Sequence, residues 1–106
     1  MEKNLVNNDE LLDLCNNVRL LYNKKSFEKC KEMICEAMKN YPHSAVPHNL
    51  MGLVLQKTGH LTKAMNHFRA AWALEPTYLP ARHNLEYFGA SFFKKGKIAF
   101  DESDCN

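Results

Sequence analysis

The sequence predicts an all-α fold of about five helices packed as antiparallel pairs, and three observations carry that prediction. Only four glycines and four prolines occur in 106 residues, too few for the many tight turns of a small all-β domain. Apolar residues recur at steps of three and four along most of the chain, which places them on one face of a helix. One pattern also returns after 34 residues: laying Ser26–Pro42 over His60–Pro76 matches Phe27 with Leu61, Cys30 with Ala64, Ile34 with Phe68, Ala37 with Ala71 and Pro42 with Pro76.

Taken in order, residues 1–8 are polar and Asn-rich and are expected to be a flexible N-terminus, with the domain running from 9 to 95. The first helix follows from Leu11, Leu14, Val18 and Leu21 at steps of three, four and three, with Asp9 and Glu10 suited to the positive end of a helix dipole. The second carries Phe27, Cys30, Ile34 and Ala37 on one stripe and stops at Pro42, which cannot extend a helix and disfavours the helical state in the residue before it. Ser44 is a suitable N-cap for the third, where Pro47 sits early enough to be tolerated and Gly52, Val54 and Leu55 follow. Gly59 separates it from the fourth helix, which ends at Pro76. The connections are short, so consecutive helices pack antiparallel. A fifth helix, about 78–95, carries Ala81, Leu85, Phe88 and Phe92 and stops at Gly96; residues 96–106 form a tail.

Composition bounds the function. Apolar residues make up 45% and charged residues 25%, values of an ordinary globular domain. The net charge of +2 and a pI of about 8.4 lack the concentrated basic face of a nucleic-acid binder, so no nucleic acid is expected as partner. No apolar run approaches the ~18 residues of a membrane span, and no secretory pattern accompanies Met1–Asn4, so the expected setting is cytoplasmic with no membrane partner. Cysteines 15, 30, 35 and 105 form no C-x-x-C pair, and Cys30 and Cys35 point to different sides of one helix, so reduced, apolar thiols are expected.

The sequence offers little for catalysis. No H-E-x-x-H motif occurs among His43, His48, His60, His67 and His83, no P-loop or G-x-G-x-x-G is present, and no nucleophile carries a local signature. A non-enzyme without metal or cofactor is expected.

The second unit, with Gly52, Ala64, Phe68, Ala71 and Pro76, resembles the tetratricopeptide repeats. The first unit is a degenerate copy with Cys30 and Ile34, and the third supplies one helix through Ala81 and Leu85. The resemblance covers about residues 9–95. It implies a short right-handed α-solenoid of two repeats, about 11–44 and 45–78, with the fifth helix as a cap. It also implies that the first helix of each pair lines a concave surface for a peptide or partner helix. Carried over by position, that surface includes Asn16 and Arg19 from the first helix, Asn49, Leu53 and Lys57 from the third, and His83, Asn84 and Tyr87 from the fifth. The lysines of the family's clamp for acidic chaperone tails are missing, so that activity is not implied.

The C-terminal region adds a second expectation. Phe88, Phe92, Phe93, Ile98 and Phe100 crowd into thirteen residues, more apolar surface than a cap helix shows to water. Either this segment folds back on its own domain or Phe88, Phe92, Phe93 and Phe100 mediate a homodimer. The tail beyond Phe100 lacks apolar periodicity and is expected to be mobile, or to lie along the basic stretch 54–97. The functional expectation is a non-catalytic protein-binding module acting as adaptor or scaffold. The alternatives are a self-association unit built on the Phe-rich segment and a small holdase-like chaperone.

Overall fold

Five α-helices dominate the computed structural model, which describes residues 8–89 and 97–105. They are α1 (Asn8–Asn23), α2 (Phe27–Asn40), α3 (Ala45–Lys57), α4 (Leu61–Leu74) and α5 (Leu79–Gly89), followed by a 3-10 turn at Glu102–Cys105. Among the described residues there is no strand. The expected flexible N-terminus lies almost entirely outside the described residues, as does the part of the cap helix beyond Gly89 with Phe92 and Phe93.

The 34-residue period of the sequence is also a period of the backbone. Lys24 N–H bonds to Leu20 O as Thr58 N–H does to Val54 O; Lys25 to Tyr22 as Gly59 to Gln56; Ser26 to Leu21 as His60 to Leu55. Tyr41 to Ala37 and Glu75 to Ala71 continue the series at the far end of each hairpin. Both turns need one left-handed residue, supplied by Lys25 (φ +64°) and Gly59 (φ +91°). Glycine takes that conformation without strain, whereas a lysine is crowded between its Cβ and carbonyl.

Of the five pairs matched in the sequence, all but one are buried alike. Cys30 and Ala64, Ile34 and Phe68, and Ala37 and Ala71 all face the core. Phe27 is half-buried, its ring 5.7 Å from that of Tyr22, while Leu61 is 48% exposed. The position equivalent to Tyr22 is Gln56, so Leu61 has no aromatic neighbour of that kind. The degenerate first repeat keeps its volume by exchange. Gly52 and Phe68 in one hairpin become Val18 and Ile34 in the other, and all four are buried.

Helix α3 is the centre. Every residue from Ala45 to Leu55 except His48 is buried, as an enclosed helix requires. Ser44 caps it, Oγ accepting from Val46 N–H at 3.1 Å, and the Glu75 carboxylate accepts from Ala45 N–H at 2.7 Å, a negative charge at the positive end of the dipole. Each helix packs on its neighbours in sequence, and α3 also packs on α1 and α5, whereas α2 and α4 do not meet. The first helices of the pairs therefore lie close together and the second helices splay, which curves the stack with α1, α3 and α5 on its inner side.

Candidate peptide-binding groove

The inner face is occupied by the chain's own C-terminal segment. Residues 97–105 run from His83 on α5, past Asn49 of α3, to Arg19 of α1. His83 Nε2 donates to the Lys97 carbonyl at the entrance. Ile98 then packs against the core.

At Ala99 the main chain is held on both sides. Ala99 N–H donates to Asn84 Oδ1 at 2.8 Å. Its carbonyl accepts from Asn84 Nδ2 at 2.8 Å and from Asn49 Nδ2 at 3.0 Å. Asn84 Nδ2 also donates to Asn49 Oδ1 at 2.8 Å, joining the two carboxamides. Asn49, Asn84 and Ala99 are all 0% exposed. A buried carboxamide without partners costs about 1–3 kcal/mol, and Ala99 supplies the partners that remove most of that cost.

The next residues engage α1. The Phe100 ring meets Tyr22 edge-on, centroids 5.1 Å apart at 84°, and the Arg19 guanidinium lies 4.8 Å from its centroid. Arg19 also pairs with Asp101 and Asp104, each at 3.1 Å. Asp104 folds the turn as well, accepting from Phe100 N–H at 2.9 Å, while Asp101 accepts from Ser103 N–H at 2.9 Å. Burial pushes the Asp104 carboxyl up, but the Phe100 N–H and the Arg19 charge outweigh it and hold the group below the usual carboxylate range.

The sequence-predicted groove residues thus divide. Arg19, Asn49, Asn84 and His83 touch the segment. Leu53 is fully buried beneath the face. Lys57 is exposed, 6.0 Å from the Tyr22 centroid. Tyr87 packs on Phe88 at 5.0 Å. Asn16 is exposed and borders an open cavity of about 630 Å³ between α1, the start of α3 and the 3-10 turn. Of the phenylalanines assigned to self-association, Phe88 stacks on Phe68 at 5.9 Å and Phe100 is buried in the groove. The tail, expected to be mobile or to follow the basic stretch 54–97, instead forms its 3-10 turn and pairs with Arg19. Its partner stands 82 residues upstream, a distance at which no local pattern gives a signal.

A second polar contact escapes any search for ligand spacing within one helix. His48 on α3 and His67 on α4 place their Nδ1 atoms 3.0 Å apart, rings stacked at 5.3 Å. Burial lowers both pKa values, with the charge of His48 adding to the effect on His67. Among the described residues no group of three or more His, Cys, Asp or Glu side chains is placed to hold a metal ion. Burial pushes the Cys15 thiol up to about 12 and the neighbouring Tyr78 hydroxyl up as well, so both stay protonated near neutrality. No described helix is long and apolar enough to cross a membrane.

Comparison of the chain with protein-family models, with curated proteins and with solved structures gives no match.

Proposed function

We propose that this chain is a non-catalytic peptide-binding module of the tetratricopeptide type, which holds an extended segment across the inner face of α1, α3 and α5. The observation that carries this reading is the grip of Asn49 and Asn84 on both main-chain groups of Ala99. Every extended peptide offers the same N–H and C=O pair, so carboxamides aimed at the main chain suit a surface that receives segments of differing sequence. The burial of Phe100 and the stacking of the partly buried Phe88 on Phe68 leave the self-association alternative little free surface at those two residues.

The test is a peptide array probed with the intact chain and with a variant carrying Asn49→Ala and Asn84→Ala. Bound peptides are expected to lose about fivefold in affinity for each main-chain bond removed, from a typical ~1 kcal/mol per hydrogen bond. Array binding that survives loss of both carboxamides in a folded variant overturns the proposal.

A further inference from the structure

The segment lying in the groove is chemically more specific than a main-chain clamp requires. Ala99 is enclosed on all sides, so the clamp accepts a small side chain there. Arg19 meets the face of the next ring and both carboxylates of the turn. A planar guanidinium suits this combination, since it stacks on an aromatic face while its fork of N–H groups points at carboxylate oxygens. Tyr22 supplies an edge-on aromatic contact that an aliphatic side chain would not reproduce. The motif is therefore small, aromatic, acidic, any, any, acidic, as in Ala99-Phe100-Asp101-Glu102-Ser103-Asp104.

An open cavity lies beside the bound segment. It is lined by Asp101, Glu102 and Ser103 of the segment and by Leu11 and Leu12 of α1, the latter 50% exposed. A partner segment with an apolar side chain in place of Glu102 reaches those leucines and gains contacts this segment does not make. Such a gain is what an outside segment needs, because a tethered competitor acts at an effective concentration of about millimolar.

Resting on the reading of this face as a peptide-binding groove, we propose that its partner is a protein segment with the same pattern. The partner carries a small residue, then an aromatic one with carboxylates one and four positions further on, and an apolar residue directly after the first carboxylate. The chain's own residues 98–104 compete with it for Arg19, Asn49 and Asn84. The groove is thus closed in cis and opened by a ligand that imitates the segment and adds the apolar contact with Leu11 and Leu12.

The probe is a fluorescent synthetic peptide, Ile-Ala-Phe-Asp-Leu-Ser-Asp, titrated by anisotropy into the full chain and into the full chain carrying Phe100→Ala. Weakening the internal competitor is expected to tighten binding at least about tenfold, since apparent affinity scales with the fraction of open groove. Replacing the peptide's phenylalanine by alanine, or both its aspartates by asparagine, is expected to weaken binding by about tenfold or more. Circular dichroism establishes that the variant is folded, and Asp101→Asn with Asp104→Asn provides a second way to loosen the tail. Equal affinity of the unaltered and both loosened chains overturns the competition. Equal binding of parent and substituted peptides overturns the partner chemistry but leaves the groove as a peptide site. If no peptide binds either loosened chain, the proposal falls, and the array experiment decides whether the broader reading falls with it.

Discussion

Gly52→Ala adds a single methyl group at the tightest contact in the core. A Cβ on Gly52 stands 2.5 Å from Cε1 of Phe68 and 2.8 Å from Cδ1 and Cζ. The ring has no easy retreat: Phe68 is 0% exposed and the parallel ring of Phe88 lies 5.9 Å away. Two effects oppose each other. Alanine gains about 1 kcal/mol over glycine inside a helix, whereas forcing an extra carbon into a filled core costs about 1–3 kcal/mol. The contact lies well inside van der Waals distance, so the cost falls at the upper end of that range and steric crowding wins. A net loss of about 1–2 kcal/mol follows, or about 5–15 °C in Tm for a domain of this size. The assay is thermal unfolding of Gly52→Ala, Phe68→Leu and the double variant. A smaller side chain at 68 makes room for the methyl, so the double variant is expected to lose at least about 1 kcal/mol less than the sum of the singles. Gly89→Ala is the control, because its Cβ meets only the flexible end of Met65 at 3.2 Å. A Gly52→Ala protein as stable as the parent, or strictly additive losses, would refute the account of the crossing.

Lys25→Gly is expected to raise stability by about 1 kcal/mol and Tm by about 5 °C, because the strain of a side chain at φ +64° exceeds the extra chain entropy of glycine; a lowered Tm in the same unfolding assay counts against it. The His48–His67 contact predicts acid sensitivity. Burial lowers both imidazole pKa values below 6.5, so the folded state takes up protons later than the unfolded one. Stability is complete above pH 6.5 and is lost as pH falls toward the folded-state values. Unfolding followed by fluorescence is expected to show that loss, and His67→Gln to reduce it; an unchanged pH profile in the variant contradicts the assignment.

Much of the scaffold was legible because it is local. Steps of three and four mark α1, α2 and α4, and Pro42 and Pro76 follow closely on the ends of α2 and α4. The equivalence of Cys30 with Ala64 and of Ile34 with Phe68 survives as equal burial. The pairing of Phe27 with Leu61 does not, because similar side chains at matching positions met different neighbours: Tyr22 in one hairpin, Gln56 in the other. Helix α3 gives no clean stripe, since a helix enclosed on all sides has no polar face to set one off. On the inner face, the resemblance to the tetratricopeptide repeats singled out Arg19, Asn49, Asn84 and His83, which touch residues 97–104, but nothing in their spacing pointed to that contact. The docking of Phe100 on Tyr22 and of Asp101 and Asp104 on Arg19 spans most of the chain, and the acidity of the tail was legible without its target. The two histidines lie on separate antiparallel helices, 19 residues apart, where periodicity within one helix is uninformative.

The pairing of Arg19 with Asp101 and Asp104 also changes how order spreads through the protein. A row of helical hairpins touches only next-door units, so its termini normally melt first and independently. Here Asp104 braces α1 from 85 positions away, turning a linear row into a closed loop of contacts. That closure raises the average sequence separation of interacting residues, slows the search for the native arrangement, and couples any loosening of residues 97–105 to loosening of α1.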